Sequence, residues 1–234
     1  MKNAFKLFAV TFGLLITSQA FAGPKALVYN GVGACHDDCA KASYDSAKAA
    51  GFDPVYVGDN DTDPRIFDGA TVWLQPGGYA STAMQNMAPA LKENIKNFVK
   101  NGGGYVGFCA GAFVTTNYVG TTNVKGLGIM PGSTKLYGKG VRILKTKWQG
   151  SQRYIYWEGG PYFRNMPSTV EQTASYPNGA NGAVRSTFGK GRIWVTGLHP
   201  ESPKWWKDES GYDDVDGDDR DIVANMLHWV TEAH

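Results

Sequence analysis

The chain has few cysteines, no excess of either charge and, beyond its first 22 residues, no long hydrophobic run. Its 23 basic and 21 acidic residues give no electrostatic basis for binding nucleic acid or an anionic membrane surface. No later apolar stretch reaches the length of about 20 residues that a membrane-spanning helix needs. What the chain does have is 42% hydrophobic residues and 30 glycines, which indicate a real core with many tight turns.

The first 22 residues are predicted to be a signal peptide rather than part of the fold. Lys2 and Lys6 precede a short apolar run at residues 7–16, and residues 20–22 (AFA) fit a cleavage site with small residues at its first and third positions. A buried N-terminal helix is the alternative. We expect an exported mature protein, periplasmic or secreted, that begins at Gly23 and carries equal numbers of acidic and basic residues.

The three cysteines bear on this expectation, because exported chains tend to pair their cysteines. Cys35 and Cys39 lie four residues apart and can form a disulfide at a helix start. Two half-buried thiols on one helical turn are the alternative. In either case Cys109 is the odd thiol, and an unpaired thiol in an oxidising compartment calls for a reason.

Strand-like and helix-like segments alternate along residues 23–234, which predicts one α/β domain with parallel βαβ units. Five strands are expected, at about residues 25–30, 54–57, 71–74, 104–108 and 192–196. Four helices are expected, at about residues 37–50, 81–101, 110–115 and 219–232. Residues 132–188 follow a different pattern of short β-like runs, which we interpret as an antiparallel or irregular insertion beside the main sheet.

The most informative motif is residues 107–111 (GFCAG), which stands between a predicted strand and a predicted helix. Gly-x-Cys-x-Gly in this position is the thiol form of a nucleophile elbow, a turn so tight that both flanking residues must lack bulk. The motif places Cys109 at a helix N-terminus, which favours the nucleophilic thiolate. A buried cysteine in a packed turn is the alternative.

A cysteine nucleophile also needs donors for the oxyanion of the reacting carbonyl. Gly77 and Gly78 follow the third predicted strand within the sequence QPGGY, and their backbone N–H groups can approach a substrate without steric cost. The N–H of Ala110, directly after the cysteine, is the second predicted donor.

The predicted base is His199, which directly follows the strand at residues 192–196. Residues two apart in an extended segment point the same way, so Glu201 can contact the imidazole and hold its tautomer. Taken alone, a His-Pro-Glu sequence is more often a surface turn. The three motifs together, each at the end of a predicted strand, favour a Cys109–His199–Glu201 triad.

With these motifs the chain resembles the class I glutamine amidotransferase-like superfamily. Within it, the resemblance is strongest to the N-terminal domain of fungal-type biotin–protein ligases, which also occurs alone in bacteria; the additional residues that carry it are 28–31 (VYNG) and 158–163 (EGGPYF). The resemblance implies a flavodoxin-like three-layer sandwich, with a mostly parallel central sheet and a small β insertion. It also implies that Cys109, His199 and Glu201 form the catalytic triad.

The chain departs from the superfamily at Phe113, where glutaminase domains usually carry a glutamine that shapes the substrate pocket. Free glutamine is therefore a doubtful substrate. Neither a synthetase domain nor a biotin-ligase catalytic domain accompanies the motifs, so biotinylation is not inferred. We expect no cofactor and no metal ion.

Several further features have two interpretations. The glycine-rich residues 158–163 are either a pocket wall that places Glu158 and Tyr162 near the substrate or a turn between strands; Tyr79 and Phe113 are the other candidate substrate contacts. Trp205 and Trp206 either cover the cleft or pack in the core. The acidic residues 213–221 do not keep the register of an EF-hand calcium loop and are expected to be solvated.

Two functional hypotheses follow from the sequence. The first is an exported cysteine hydrolase that cleaves an amide or acyl bond in a small-molecule or peptide-like substrate. The second is a non-catalytic module that binds a small ligand in the same pocket. The complete set of nucleophile, base and donors favours the first, whereas Phe113 and the absence of an acceptor domain favour the second.

Overall fold

The computed structural model describes residues 23–232, so the predicted signal peptide at residues 1–22 lies outside the described residues. The described part of the chain contains one sheet of eleven strands. The strands are β1 Lys25–Tyr29, β2 Asp53–Val57, β3 Ala70–Gln75, β4 Gly104–Phe108, β5 Ser133–Leu136, β6 Val141–Trp148, β7 Ser151–Glu158, β8 Pro161–Arg164, β9 Glu171–Ser175, β10 Asn181–Phe188 and β11 Gly191–Thr196. The helices are α1 Lys41–Ala49, α2 Ala80–Asn86, α3 Pro89–Lys100, α4 Ala110–Phe113, α5 Lys204–Ser210 and α6 Arg220–Thr231.

The centre of the sheet is parallel and runs in the order β2-β1-β3-β4-β11. This is the order of a flavodoxin-like sheet, in which the carboxyl ends of the strands form the ligand-binding edge. Successive side chains of a strand point to opposite faces, and both faces of this sheet are covered. In β1, for example, Leu27 and Tyr29 belong to one buried apolar cluster, whereas Ala26 and Val28 belong to the other. The predicted fold class is confirmed.

The two faces are covered by different helices, which makes the three layers. Helices α2 and α3 pack on one face; Leu91, Ile95 and Val99 of α3 are fully buried there, which stabilises the fold by roughly 1.5–3 kcal/mol per side chain. Helices α1 and α6 pack on the other face, where α6 buries Ile222, Val223, Met226 and Val230.

The single helix predicted at residues 81–101 is wrong, because the structure has two helices there. Helix α2 ends at Asn86 and α3 begins with Pro89 in its first turn. Proline has no N–H and disfavours the helical conformation of the preceding residue, so Pro89 interrupts the chain although the apolar spacing continues. The first predicted helix is also shorter: α1 begins at Lys41, after a π-helical turn at His36–Ala40.

The region predicted as an insertion beside the main sheet instead extends that sheet. Strand β10 pairs antiparallel with β11, and β9, β6 and β7 continue the same path outward, while β5 and β8 form a side ladder. The antiparallel character is as predicted. The short runs separated by glycine and lysine showed that these strands exist, but not which strand they pair with.

Within residues 23–232, none of the helices has both the length and the apolar character needed to cross a membrane.

Candidate active site

The predicted motifs meet at the carboxyl edge of the parallel strands. Residues 76–79 follow β3, Cys109 follows β4, and His199 comes shortly after β11. Because β3, β4 and β11 are neighbours in the sheet, segments far apart in the sequence lie side by side at this edge. The first connection, after β1, reaches the same place, where Ala34 forms an isolated bridge with Gly78.

The backbone of Cys109 has the strained geometry of a nucleophile elbow. Its φ of 46° and ψ of −102° are unusual for a residue with a side chain. The two flanking glycines make the turn sterically feasible: a Cβ at Gly107 would lie 2.6 Å from the carbonyl oxygen of Gly111, and one at Gly111 would lie 2.0 Å from that of Gln75. The N–H of Cys109 donates to the carbonyl of Thr196 at 2.9 Å, which ties the elbow to β11.

The helix after the elbow is shorter than predicted. Helix α4 has only four residues, Ala110–Phe113, instead of extending to residue 115. One helical turn has little macrodipole, so the predicted effect of a helix N-terminus on the thiol loses most of its basis. The group that is placed to stabilise a thiolate is the imidazole of His199.

His199 and Glu201 form a close buried pair. Nδ1 of His199 donates to Oε1 of Glu201 at 2.8 Å, and both side chains are almost entirely buried. The second carboxylate oxygen, Oε2, is buried with no hydrogen-bond donor among the described residues. Imidazole is therefore the main group that stabilises this carboxylate, which ties the charge of one residue to that of the other.

The imidazole is held in place by its neighbours. Its ring packs edge-on against Tyr156 and Trp206, at centroid distances of 5.7 Å and 5.6 Å. A Cβ at Gly77 would lie 2.8 Å from Cε1 of the ring, so this position has room only for glycine. Because Nδ1 binds Glu201, the opposite nitrogen is left for Cys109.

The charge state of the imidazole follows from its surroundings. Burial lowers the pKa of His199, but the carboxylate of Glu201 and the sulfur of Cys109 outweigh burial, and the pKa is raised well above its usual value. A protonated imidazole beside the sulfur is the arrangement that stabilises a thiolate. The imidazole of His199 is therefore placed where its positive charge can act on the sulfur of Cys109.

The predicted oxyanion donors have different surroundings. The backbone N–H groups of Gly78 and Ala110 have no acceptor among residues 23–232, and Gly78 lines the cleft beside the sulfur. Gly77 does not line it. Its structural contribution is the space that it leaves for the imidazole of His199.

The Cys109 side chain stands where two clefts meet. It is 6% exposed, and its thiol donates to the carbonyl oxygen of Glu158 at 3.4 Å. One cleft, here called the acidic cleft, is lined by Asp38, Tyr156, Glu158, His199, Trp206 and Glu209. The other, here called the neutral cleft, is lined by Ser81, Thr82, Phe113, Val119, Thr122 and Leu136.

The structure brings three of the four predicted substrate contacts to these clefts. Tyr79 borders both clefts, Glu158 lines the acidic cleft and Phe113 lines the neutral cleft. Tyr162 is not at either cleft: it lies in β8 and packs against the apolar cluster beneath α6. Glu158 ends β7 whereas Tyr162 lies in β8, so the turn at residues 159–160 separates the two side chains, which the glycine-rich sequence does not reveal.

Sequence reasoning missed several residues at the site. Tyr156 contacts the imidazole, and Asp38 and Glu209 border the acidic cleft. Tyr156 had a signal, since it lies two residues before Glu158 in a strand and must share its face. Asp38 and Glu209 had none, because only the tertiary structure places their segments beside Cys109. Trp206 lines the cleft and is also buried in an apolar cluster, so both of its interpretations apply.

Cys35 and Cys39 form a disulfide in the structure, and it borders the acidic cleft. Cys109 is the free cysteine of the described chain. The disulfide links the residue before the π-helical turn to a residue within that turn, which is the pairing at a helix start that the four-residue spacing allows.

The acidic segment at residues 213–221 is not simply solvated. The ammonium of Lys207 lies 2.6 Å from a carboxylate oxygen of Asp214 and 3.0 Å from one of Asp219, and it donates to the carbonyl of Gly217 at 2.5 Å. These are the oxygen types that bind calcium, and a lysine occupies their centre. Across residues 23–232, no group of three or more His, Cys, Asp or Glu side chains is arranged to hold a metal ion.

Residues 25–126 match the family model described as biotin-protein ligase, N terminal. The match covers β1 to β4, the elbow and the segment after it, and it confirms the predicted resemblance. No curated protein matches the chain.

Solved structures that share this fold include two described as glutamine amidotransferases. A crystal structure of a glutamine amidotransferase aligns with a TM-score of 0.62 and 18% identity, over 81% of this chain and 100% of that one. PurLQS from Thermotoga maritima aligns at 0.65 and 17%, over 88% and 99%. A second glutamine amidotransferase, also from Thermotoga maritima, aligns at 0.59 and 12%, over 89% and 98%. At these identities the likeness shows the glutamine amidotransferase-like fold alone, and not the activity.

Proposed function

We propose that the protein is an exported cysteine hydrolase that cleaves an amide or related acyl bond. The observation that carries the proposal is the strained elbow residue Cys109 beside a buried His199–Glu201 pair. The glutamine amidotransferase-like fold supports an amide-hydrolysing role as well. Free glutamine is not the proposed substrate, because Phe113 lines the neutral cleft at the position where glutaminases usually carry glutamine.

The proposed reaction has two halves. The Cys109 sulfur attacks the carbonyl carbon while His199 carries the proton of the thiol, and the N–H groups of Gly78 and Ala110 bind the oxyanion. The C–N bond breaks, His199 gives its proton to the leaving amine, and a thioester remains on Cys109. Water, deprotonated by His199, then attacks the thioester and releases a carboxylic acid and the free thiol. Glu201 holds the imidazole and stabilises its positive charge throughout.

The expected result with a suitable substrate is a thioester on Cys109. We expect mass spectrometry of the protein, incubated with pools of amide metabolites and short peptides and quenched in acid, to find an acyl adduct on the peptide that contains Cys109. In steady state, Cys109→Ala should abolish turnover and His199→Ala should lower kcat by about 10³-fold or more.

The matched control is His228→Ala, since this histidine packs against Phe52 and lies away from the clefts. It should leave both adduct and turnover unchanged. Turnover that persists in Cys109→Ala would contradict the proposal.

Export is part of the proposal and is supported by the signal-like residues 1–22 and by the Cys35–Cys39 disulfide, since disulfides persist in oxidising compartments. Expression of the full chain should yield a secreted or periplasmic protein whose intact mass begins at Gly23. Denatured without reductant, it should take up one iodoacetamide per chain, and with reductant three. An uncleaved cytoplasmic product that takes up three without reductant would contradict this.

Binding without turnover is the second candidate function. It is favoured by the thiol of Cys109, which donates to the Glu158 carbonyl at 3.4 Å and is thereby occupied in the absence of substrate. A ligand that binds with the stoichiometry of one per chain, with neither adduct nor turnover, would support this candidate.

A further inference from the structure

The two clefts that meet at Cys109 differ in charge. The acidic cleft carries the carboxylates of Asp38, Glu158 and Glu209, and none of its lining residues is lysine or arginine. The neutral cleft is lined by hydroxyl-bearing and apolar side chains and has no acidic or basic residue. A substrate that crosses Cys109 therefore meets a negative field on one side only.

Among the described residues, no lysine or arginine pairs with the carboxylates of the acidic cleft, and the imidazolium of His199, which lines the same cleft, is paired with Glu201. Asp38 and Glu209 form no ion pair within the described part of the chain, and Glu158 accepts its hydrogen bond from the neutral hydroxyl of Tyr156 at 2.9 Å. Burial, that hydrogen bond and the negative charges of Glu158, Cys109 and Glu209 together raise the pKa of the Tyr156 hydroxyl. The carboxylates of Glu158 in β7 and Glu209 in α5, which are far apart in the sequence, thus act on the same hydroxyl group.

Aromatic rings form the other part of the wall. Trp205 is 45% exposed and stands edge-on to Trp206, which in turn packs against Tyr156. Aromatic faces beside carboxylates attract organic cations, which gain both cation–π contact and ion pairing. The same wall offers little to an anion.

The position of His199 decides which part of the substrate occupies this cleft. The imidazole lines the acidic cleft and not the neutral cleft. In the proposed reaction His199 protonates the leaving amine, so the amine portion must lie on the side of the imidazole. The acyl portion then extends into the neutral cleft past Phe113.

We propose that the substrate is an amide whose amine portion carries a positive charge, seated between the carboxylates and the tryptophans of the acidic cleft, and whose acyl portion is uncharged. This inference rests on the proposed function, because the proposed reaction is what places the amine side of the cleaved bond in the acidic cleft and the acyl side in the neutral cleft. It names the substrate class: the amide of a diamine or of a basic amino acid, in which a second ammonium or guanidinium group remains charged while the amide is intact.

The test uses thiol reagents of opposite charge on the folded, disulfide-intact protein. The cationic reagent is (2-trimethylammonioethyl) methanethiosulfonate and the anionic one is (2-sulfonatoethyl) methanethiosulfonate; 2-mercaptoethanol, a neutral thiol, gives the reference ratio of their rates. We expect the cation-to-anion rate ratio at Cys109 to exceed the reference by about tenfold at low salt, and to fall as salt is added.

The variants locate the effect. Asp38→Asn, Glu158→Gln and Glu209→Gln combined should return the ratio close to the reference. Asp208→Asn is the matched control, because Asp208 neighbours Glu209 in α5 but pairs with Lys204 and borders a different cleft. Thermal unfolding of each variant checks that it is folded, and the single variants replace the triple variant if that one unfolds.

The outcomes separate this inference from the proposed function. Fast labelling by both reagents with a rate ratio equal to the reference overturns the proposal of a cationic substrate but is still consistent with a cysteine nucleophile. A high ratio that the charge-removing variants do not change also overturns it. At pH 6, labelling by both reagents and by iodoacetamide no faster than that of 2-mercaptoethanol overturns the proposed function itself.

Discussion

At pH 6, replacing His199 with alanine is expected to slow the labelling of Cys109 by iodoacetamide by about tenfold. Only about one ordinary thiol in 300 is ionised at this pH. Pairing with the imidazolium of His199 favours the thiolate form of the sulfur, although each such thiolate is a weaker nucleophile, which cancels part of the gain in rate. The pKa of His199 is raised by Glu201 and Cys109 against the effect of burial, so the pairing cation persists through neutral pH.

The pH profile is the more discriminating measurement. The labelling rate of the native protein should change little between pH 6 and 8, whereas that of His199→Ala should rise by about tenfold per pH unit and overtake it at about pH 7. His228→Ala should keep the native profile. Profiles of native protein and His199→Ala that coincide would remove the basis of the proposed mechanism.

Glu201→Gln tests the positioning residue in the same assay. Glutamine keeps the shape and can still accept from Nδ1, but it lacks the charge that raises the pKa of His199. The profile should therefore lie between those of the native protein and His199→Ala. A purely structural role for Glu201 would leave the profile of a folded Glu201→Gln variant unchanged.

Replacing Lys207 with methionine is expected to lower the free energy of unfolding by about 3 kcal/mol. Its ammonium is nearly buried between Asp214 and Asp219, and the side chain of Asp219 is 0% exposed. Methionine would fill the space but leave buried carboxylate charge with only Arg153 to balance it. Burial lowers the pKa of Lys207, but the two aspartates outweigh burial, and the pKa is raised above its usual value. The ammonium therefore stays charged at neutral pH, and its contribution to stability is lost only at strongly alkaline pH.

Lys204→Met is the matched control for this prediction. Lys204 lies one turn earlier in α5 and pairs with Asp208, but its side chain is 85% exposed, and such surface pairs contribute only about 0–1 kcal/mol. Urea unfolding at pH 7 measures both variants. Equal losses of stability in the two variants would show that the buried ion pairs of Lys207 do not stabilise α5 and the acidic segment that follows it. The network matters for the site because α5 also carries Trp206 and Glu209.

The site motifs were readable from the sequence because each depends on local chemistry. The elbow needs small residues on both sides of Cys109, and Gly107 and Gly111 meet backbone atoms that leave no room for a Cβ. The spacing of His199 and Glu201 places two side chains on one side of an extended segment, and the structure joins them at 2.8 Å. Their catalytic roles stay predictions that the labelling profiles test.

Other predictions failed because the same local sequence pattern is compatible with two different structures. The apolar spacing across Met84, Met87 and Leu91 continues through the break between α2 and α3, because periodicity does not register a missing N–H at Pro89. Similarly, Tyr162 shares a glycine-rich segment with Glu158, yet the strand directs it to the apolar cluster. Sequence neighbours need not share a surface.

The sequence by itself determined the α/β class and the family likeness, which follow from the alternation of strand and helix segments and from the motifs between them. It also determined the elbow at Cys109 and the pairing of His199 with Glu201, since these rest on steric or hydrogen-bonding requirements within a few residues. Only the tertiary structure decided that an antiparallel half continues the main sheet, that Lys207 fills the acidic loop, and that Asp38, Glu158 and Glu209 surround one side of the nucleophile. Asp38, Glu158 and Glu209 lie on segments separated by 50 residues or more, and the place of Lys207 depends on which way a loop turns. The antiparallel strands join the sheet through the β10–β11 hairpin, and the pattern of short runs does not encode which strand pairs with which.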